Sequence, residues 1–412
     1  MFAPETCWKS ERGIRSLKKV SIMGQSSKLS LKAIGVRLIG YGALLLLLVW
    51  LAHLYVTNPL YIKKLPYFAE AFRLGFEVEC EPGSPDELGG ILKKVSLPFF
   101  AHSGEVVYLD EAREVHSCRL PRGDQESQIP FRFASMTKVV TAFAVMELAK
   151  EDKLDLESGV IEFFPEVDPA QVRDSHVLNV TLKQLLNHSS GLGGPFGSDN
   201  MIKRGEQPWC PYNIKQMETI RLAGEPGTNH LYSNVAYCLL GEVIARVSGV
   251  EFQRYIRERY LSDYPSLGFI EGPYLQGEPD YDFSNDVRFG KEYVDWLDFQ
   301  ALSSSAGLMG DPREFALLVR ELFQRNSEVL QGGGIEGCRE KDLERCYSYP
   351  FVIVESEGGN PIGIQQGYLP GASSLVAINP EGEVLVWVAP GAALESKYKD
   401  VMIKRVVSLL SE

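Results

Sequence analysis

One long apolar segment stands apart near the start of the chain. Residues 38–56 contain no Asp, Glu, Lys or Arg, and a helix of this length, at ~1.5 Å per residue, covers the ~30 Å hydrocarbon core of a bilayer. A buried core helix is the alternative, but the segment lies between a basic tail and Pro59 rather than within a periodic pattern. We therefore predict a transmembrane helix over residues 38–58.

The pattern of apolar positions beyond this segment differs between the ends and the middle of the chain. β-rich segments occur towards both ends, and helical periodicity fills the middle. We predict an α/β (α+β) fold, in which an antiparallel sheet built from both chain ends is flanked by helices and carries a helical insertion. Strands are predicted at 105–110, 114–118, 347–355, 373–378 and 384–388, and helices at 135–150, 181–187, 234–248, 251–260, 312–323 and 395–410.

Charge is distributed unevenly along the chain. The 42 basic and 54 acidic side chains give a net charge of −12, yet residues 1–56 hold eight basic and only two acidic side chains. The remainder of the chain is therefore strongly acidic and repels polyanions. This argues against nucleic acid as a partner.

The same charges predict the orientation of the apolar segment. All eight basic residues precede it, and only Lys63 and Lys64 closely follow it, so the N-terminus is expected in the cytoplasm and the body on the far side of the membrane. The bulky residues 53–56 do not resemble a signal-peptidase site, which favours an uncleaved signal anchor. Translation from Met23 would shorten the tail without changing this orientation.

These observations divide the chain into four regions. They are a cytoplasmic tail (1–37), the anchor (38–58), a linker or helical lead-in (59–90) and a globular domain (91–411), which contains a helical subdomain at about 140–330. The localisation that follows is a single-pass membrane protein whose body is extracytoplasmic, and periplasmic in a Gram-negative bacterium.

Six cysteines follow the anchor, which allows up to three disulfides in an oxidising compartment. Cys338 and Cys346 bracket a short charged loop and are the favoured pair. Cys238 lies in a predicted apolar helix, which favours a buried thiol.

The first chemical motif is Ser135-Met-Thr-Lys138. Ser16 and Ser396 also precede a lysine by three residues, but only Ser135 opens an apolar helix, so that it shares one face with Lys138. Burial favours the neutral form of a lysine, and a neutral amine one turn away can accept the hydroxyl proton and activate the serine. The alternative is a capping serine and a lysine that extends to water.

The second motif is Tyr232-Ser-Asn234, directly before another apolar helix. A phenol there can relay protons, and an amide two residues on projects from the same side of an extended segment. The alternative is a capped helix N-terminus. Ser198-Asp-Asn200 is another candidate for the second motif. We reject it because it lies in a Gly-Pro-rich stretch with no apolar helix behind it, and because the Lys-Thr-Gly that accompanies Ser-Asp-Asn elsewhere is absent from the chain.

With these motifs in order, the chain from about residue 90 to 411 resembles the class C β-lactamase-type serine hydrolases. This family includes D-Ala-D-Ala carboxypeptidases, penicillin-binding proteins, D-aminopeptidases and family VIII esterases. The resemblance implies a β-lactamase/transpeptidase-like fold, with Ser135 as the acylated nucleophile, Lys138 and Tyr232 sharing general acid/base duty, and Asn234 orienting Lys138 and the substrate amide. It rests on residues 131–138, 185–192, 226–234, 304–308 and 369–374.

The third family motif departs from the usual pattern. Where the family carries Lys-Thr-Gly or His-x-Gly, this chain has Gln365-Gln-Gly367, so that Gln365 replaces the cation. By the resemblance, Gly367 allows close backbone approach, and the N–H of Tyr368 forms the oxyanion hole with that of Ser135. Loss of the cation favours an ester or an amide with an uncharged end over a carboxylate-bearing substrate.

Other chemistry finds little support in the sequence. No Gly-x-Ser-x-Gly, Cys-x-x-Cys or His-Glu-x-x-His occurs, so neither a metal nor a cofactor is expected. His188 is interpreted as a structural residue beside the site. The sequence thus predicts a membrane-anchored serine hydrolase that forms an acyl-enzyme on an ester, amide or D-amino-acid peptide. The alternative is a weak or inactive penicillin-binding-like protein that binds cell-wall peptides.

Overall fold

A computed structural model describes most of the chain. The described residues are 26–57, 59–99, 101–120, 130–193, 201, 207–273, 275, 277–279, 297–331, 347–356, 358–369, 371–391 and 396–411. The chain divides into two compact units, residues 1–62 and residues 63–412.

The predicted helices and strands occur in the expected order, and further elements, among them a strand at residues 361–369, lie between them. The helices are α1 (Ser26–Thr57), α2 (Pro59–Leu74), α3 (Asp86–Ser96), α4 (Thr137–Lys150), α5 (Leu182–Leu186), α6 (Trp209–Tyr212), α7 (Asn234–Ser248), α8 (Phe252–Tyr260), α9 (Ser303–Ala306), α10 (Pro312–Arg325) and α11 (Ser396–Leu409). The strands are β1 (Glu79–Cys80), β2 (Gly104–Leu109), β3 (Val115–Leu120), β4 (Phe131–Arg132), β5 (Gly268–Phe269), β6 (Leu308–Gly310), β7 (Tyr347–Ser348), β8 (Phe351–Glu355), β9 (Pro361–Leu369), β10 (Ala372–Ile378) and β11 (Val384–Pro390).

The first unit contains the apolar helix. Within α1, residues 34–57 form a segment of 24 residues that is long and apolar enough to cross a membrane, and none of it is buried in the protein. A signal sequence near an N-terminus has the same length and composition. The helix therefore agrees with the predicted segment without establishing that it is an anchor.

The second unit is built on one antiparallel sheet. Its eight strands lie in the order β1-β3-β2-β11-β10-β9-β8-β7, so that strands from both ends of the unit meet at the β2–β11 pair. A smaller three-stranded sheet has the order β4-β6-β5. The predicted fold class is confirmed.

Both faces of the large sheet are buried, and the two-residue period of a strand assigns side chains to each face. On β11, Leu385 and Trp387 pack into the core beneath α3 and α11, whereas Val384, Val386 and Val388 pack into the core that holds α4, α7 and α10. This second core is the larger one. The site described below lies on its side of the sheet.

Helix α4 crosses that larger core. From Thr137 to Leu148 every residue is buried, which explains why the sequence shows a nearly continuous apolar run instead of one apolar stripe. A 3-10 turn at Ala134–Met136 connects β4 to this helix. The predicted helix over 135–150 is therefore present, with its first residues wound more tightly.

Three sequence expectations need correction. The predicted strand 347–355 is a hairpin, because the chain turns at Tyr349 (φ +53°) between β7 and β8. Cys238 is not a free thiol, since it forms a disulfide with Cys210, across the α6–α7 contact. Helix α3 was not expected, although its buried Leu88, Ile91, Leu92 and Val95 have helical spacing.

A second disulfide joins Cys80 to Cys118 on the paired strands β1 and β3. Cys338 and Cys346 lie outside the described residues, so their pairing stays a prediction. The domain boundary at residue 90 also stays a prediction. Both described disulfides belong to the second unit, which fits folding in an oxidising compartment.

Candidate active site

Ser135 lies on the 3-10 turn between β4 and α4. The turn begins at Ala134, whose φ of +48° is in the left-handed region. On either side of the backbone, the N–H of Phe133 donates to Leu308 O (3.0 Å) and the hydroxyl of Ser374 donates to Phe133 O (2.7 Å). The turn is thus held by both sheets, and it leaves Ser135 9% exposed at the edge of the core.

Lys138 lies one helical turn further on and is completely buried. Its Nζ donates to Ser135 Oγ (3.2 Å), Asn234 Oδ1 (2.8 Å) and the carbonyl oxygen of Ser305 (2.7 Å). These three oxygens can accept all three N–H bonds of the ammonium form. Once one proton has left, the same nitrogen can accept the proton of the Ser135 hydroxyl.

Tyr232 reaches the same oxygen from the second motif. Its hydroxyl donates to Ser135 Oγ at 2.7 Å, and its ring centroid lies 4.9 Å from Lys138 Nζ. The side chain is 38% exposed, so a substrate has access to this edge of the site. Ser233 caps α7 by accepting from the N–H of Ala236 (3.0 Å), and this places Asn234 at the helix start.

The structure thus brings together Ser135, Lys138, Tyr232 and Asn234, as the two motifs predict. The Ser305 carbonyl is a further part of the site that sequence reasoning missed. A backbone oxygen carries no side-chain signal, although residues 304–308 had contributed to the family resemblance. Thr141 Oγ1 donates to the neighbouring carbonyl of Ser304 (2.7 Å) and holds this segment against α4.

Gln365 lies beside the nucleophile but faces the interior. It is 1% exposed, its Nε2 donates to the carbonyl oxygen of Ser135 (3.1 Å), and its Oε1 accepts from the Tyr347 hydroxyl (2.9 Å). Burial raises the pKa of Tyr347 well above its ordinary value, so this phenol remains a donor. Both ends of the Gln365 amide are therefore bound within the protein. Tyr347 was not expected in the site, and no sequence motif marks it.

Gly367 brings β9 close to the nucleophile turn. A Cβ atom added at Gly367 would overlap Ser374 Oγ and the carbonyl oxygen of Phe133, and would lie 3.1 Å from the nitrogen of Ser135. Only glycine permits this approach. Tyr368, the next residue, is half-buried and pairs with Ser373 on β10.

His188 lies beneath the second motif. Its ring is fully buried, with its centroid 4.4 Å from that of Tyr232, and its Nδ1 accepts the N–H of Ser233 at 3.1 Å. Burial lowers the pKa of His188 well below its ordinary value, and nearby Lys138 and His230 act in the same direction. The imidazole is therefore neutral at physiological pH.

Among the residues that the structure describes, one group has metal-ligand geometry, and it belongs to a turn outside this site. Asp110, Glu114 and His116 offer ligand atoms within 4.8 Å of one another at the β2–β3 connection. The Asp110 carboxylate already accepts from the N–H of Glu114 (2.8 Å) and pairs with His116 Nε2 (3.0 Å). These bonds account for the cluster as a hydrogen-bonded turn.

Comparison with known proteins places this geometry in a family. The family model described as Beta-lactamase matches residues 102–389. A Dichelobacter nodosus protein named "Probable fimbrial assembly protein FimD, serogroup H1" is 26% identical over 375 residues, which cover 88% of this chain and 93% of that protein.

Solved structures show the same fold at lower identity. The D-amino acid amidase of Ochrobactrum anthropi SV3, in complex with L-phenylalanine amide, superposes with a TM-score of 0.61 at 19% identity and covers 79% of this chain and 97% of its own. The octameric penicillin-binding protein homologue of Pyrococcus abyssi gives a TM-score of 0.57 at 18% identity, covering 79% and 77%. Since the family model spans well over half of the chain, this protein belongs to the β-lactamase family.

Proposed function

We propose that the protein is a membrane-anchored serine hydrolase that forms an acyl-enzyme on Ser135. The observation that carries the proposal is the convergence on one oxygen: Ser135 Oγ lies 3.2 Å from Lys138 Nζ and 2.7 Å from the Tyr232 hydroxyl. A hydroxyl with two possible proton acceptors within hydrogen-bond reach is the arrangement that an activated nucleophile needs. Most members of this family are serine hydrolases, which supports the same conclusion.

The proposed reaction has two halves, acylation and deacylation of Ser135, and both use these groups. Lys138 or Tyr232 accepts the hydroxyl proton as Ser135 Oγ attacks the substrate carbonyl carbon, and the same proton then passes to the leaving alcohol or amine as its bond to that carbon breaks. Water, deprotonated by the same pair, attacks the acyl carbon; the bond to Ser135 Oγ breaks, and the proton returns to that oxygen as the acid leaves. The N–H groups of Ser135 and Tyr368 are proposed to bind the oxyanion in both halves.

The proposed substrate is an ester or amide, including a D-amino-acid peptide, without a carboxylate next to the scissile bond. Gln365 stands where related enzymes hold a cation, and both ends of its amide are bound to protein groups, so this position offers a substrate carboxylate no partner. The name of one structural neighbour, a D-amino acid amidase, agrees with an amide substrate.

We therefore expect uncharged substrates to be turned over better than carboxylate-bearing ones. A charge-assisted hydrogen bond contributes ~1.5–3 kcal/mol, so its absence corresponds to roughly 10–150-fold in kcat/KM. The measurement compares p-nitrophenyl esters and D-amino-acid amides with penicillin and a D-Ala-D-Ala peptide on the purified protein. The matched control is a D-Ala-D-Ala peptide whose terminal carboxylate is amidated. Faster hydrolysis of the free acid than of the amidated peptide would contradict the expected preference.

Binding of cell-wall peptides without turnover is the second candidate. The FimD relative, named for fimbrial assembly, is similar over most of its length, and the replaced cation is a departure from the family pattern. Labelling with a fluorophosphonate probe, followed by mass spectrometry of the peptide that contains Ser135, separates the two. Stoichiometric labelling supports the hydrolase, whereas an unlabelled serine in folded protein supports binding alone.

The proposed location rests on α1 and on charge. The helix has the length and composition of a membrane span, and the eight basic residues that precede its uncharged residues 38–56 favour a cytoplasmic N-terminus. The small-molecule or peptide substrate would then be met outside the cytoplasm. The relative named for fimbrial assembly agrees with a secreted or surface location for the domain.

Topology is tested with a reporter that is active only outside the cytoplasm. Fused after residue 412, this reporter is expected to be active, and the protein should resist extraction from membranes by carbonate. Replacing Lys28, Lys32 and Arg37 with glutamine should reduce reporter activity, because these charges hold the N-terminus inside.

The control replaces three exposed lysines of the second unit, Lys93, Lys94 and Lys150, and should leave reporter activity unchanged. A soluble form whose N-terminus lies near residue 57 would show that the helix is a cleaved signal sequence instead.

A further inference from the structure

His188 makes the contacts that place the second motif against the nucleophile. We propose that His188 is a positioning residue, whose Nδ1 acceptor and ring hold Tyr232 and Asn234 in the geometry that activates Ser135. The inference rests on the proposed acyl-enzyme function and gives a role to a residue outside the three motifs.

Two hydrogen bonds to His188 lie on either side of Tyr232. The N–H of Leu231 donates to the His188 carbonyl (2.7 Å), and the N–H of Ser233 donates to His188 Nδ1 (3.1 Å). Tyr232 is the residue between these two donors, and its ring lies against the imidazole. Its backbone is thus held on both sides by one residue, and its side chain is supported by the same residue.

The Nδ1 bond also reaches Asn234. Ser233 donates its N–H to His188 and uses its hydroxyl to cap α7, so one residue joins the imidazole to the helix that carries Asn234. Asn234 Oδ1 accepts from Lys138 at 2.8 Å. Loss of the Nδ1 acceptor would therefore loosen contacts with both proton-transfer groups.

His188 has a left-handed backbone conformation and a defined tautomer. Its φ of +55° is in the left-handed region, which glycine adopts without strain and which asparagine and histidine adopt more often than most other residues. A backbone N–H can only donate, so Nδ1 must be the unprotonated nitrogen and the ring proton lies on Nε2. An imidazolium would lose the bond to Ser233.

The ring is fixed from its other sides by an aromatic cluster. The ring centroids of Tyr237, Tyr347 and His230 lie 5.1, 5.0 and 5.7 Å from that of His188. The Tyr237 hydroxyl donates to Leu186 O (3.0 Å), and Tyr347 donates to Gln365, which holds the carbonyl of Ser135. The imidazole is therefore packed against side chains that are themselves hydrogen-bonded, one of them through Gln365 to the nucleophile turn.

Two substitutions at His188 distinguish the effect of losing the Nδ1 acceptor from the effects of losing the ring and of straining the backbone. His188→Asn keeps an oxygen acceptor near the position of Nδ1, and His188→Gly removes the acceptor; both tolerate the left-handed conformation and both lose the ring. The readout is the second-order rate at which a fluorophosphonate probe labels Ser135 in full-length protein, per folded molecule as judged by near-ultraviolet circular dichroism.

We expect His188→Gly to lower the labelling rate by about 100-fold, since a displacement of about 1 Å in a catalytic group costs that much. His188→Asn should remain within about tenfold of wild type. If the glycine variant does not fold, His188→Gln replaces it, because its longer side chain carries the amide past the N–H of Ser233.

Two further measurements distinguish positioning from a general loss of stability. In a Tyr232→Phe background, His188→Gly should lower labelling by clearly less than about 100-fold, because the Tyr232 hydroxyl is already absent and only Asn234 remains to be positioned. The control Asn379→Ala removes another buried side chain, which accepts from Glu383 N (2.9 Å) and donates to Leu410 O (3.1 Å) in a different part of the fold. It should lower stability and leave labelling within about twofold of wild type.

The inference would be overturned if His188→Asn lowered the labelling rate as much as the variant without the acceptor does. It would also be overturned if His188→Gly had its full effect in the Tyr232→Phe background. Failure of the proposed function looks different, since wild-type protein itself would then remain unlabelled at Ser135.

Discussion

Ser135→Ala is expected to lower hydrolysis by a factor on the order of 10⁶ while the protein stays folded. The substitution removes the atom that becomes acylated, and loss of the nucleophile costs about this much in other serine hydrolases. The effect on stability should be small, ~1 kcal/mol, because the change deletes one hydroxyl and leaves the turn held through its backbone. The measurement is kcat on the best substrate of the ester and amide panel, together with the thermal midpoint.

Ser396 provides the matched control for this substitution. It also precedes a lysine by three residues and lies at the start of a helix, α11, but it belongs to the helix that covers the opposite face of the sheet. Ser396→Ala should leave kcat unchanged. Turnover by Ser135→Ala within tenfold of wild type would place the nucleophile on another residue.

Lys138→Met is expected to lower kcat by about 10³ to 10⁴. Methionine fills much the same buried volume but can neither accept nor donate a proton, so the substitution removes one of the two groups in contact with Ser135 Oγ. The loss should be only weakly additive with Tyr232→Phe, because both groups serve the same proton transfer.

Lys150 is the control on the same helix. It lies at the exposed end of α4, where it pairs with Glu328 at 2.7 Å, and Lys150→Met should leave kcat unchanged. A rate for Lys138→Met within tenfold of wild type would assign proton transfer to Tyr232 alone.

Much of the fold was predictable from local patterns. The apolar run behind Ser135 predicted the buried helix α4, and β-rich segments at the two ends of the chain predicted the sheet that joins them. These features depend on periodicity over a few residues, which is written directly in the sequence. The hairpin at Tyr349 was missed although Pro350 stands in its two-residue turn, where a proline within a β-rich run indicates a break.

The disulfide of Cys238 shows the limit of such patterns. The apolar helix around Cys238 was correctly expected, yet its partner Cys210 lies 28 residues away on α6. Periodicity places a cysteine on a helix face but does not say which element packs against that face. The pairing was therefore decided by the packing of α6 on α7.

The candidate site divides in the same way. Ser135 and Lys138 are three residues apart, so the geometry of one helix already predicts that they meet, and the family resemblance added Tyr232 and Asn234. The environment of Gln365 was not predictable, because its amide binds the carbonyl of Ser135 across 230 residues of sequence. The sequence alone thus identified the groups that are proposed to supply the chemistry. Tertiary packing decided which residues hold them in place, because contacts between distant segments depend on how helices and strands pack and leave no local pattern.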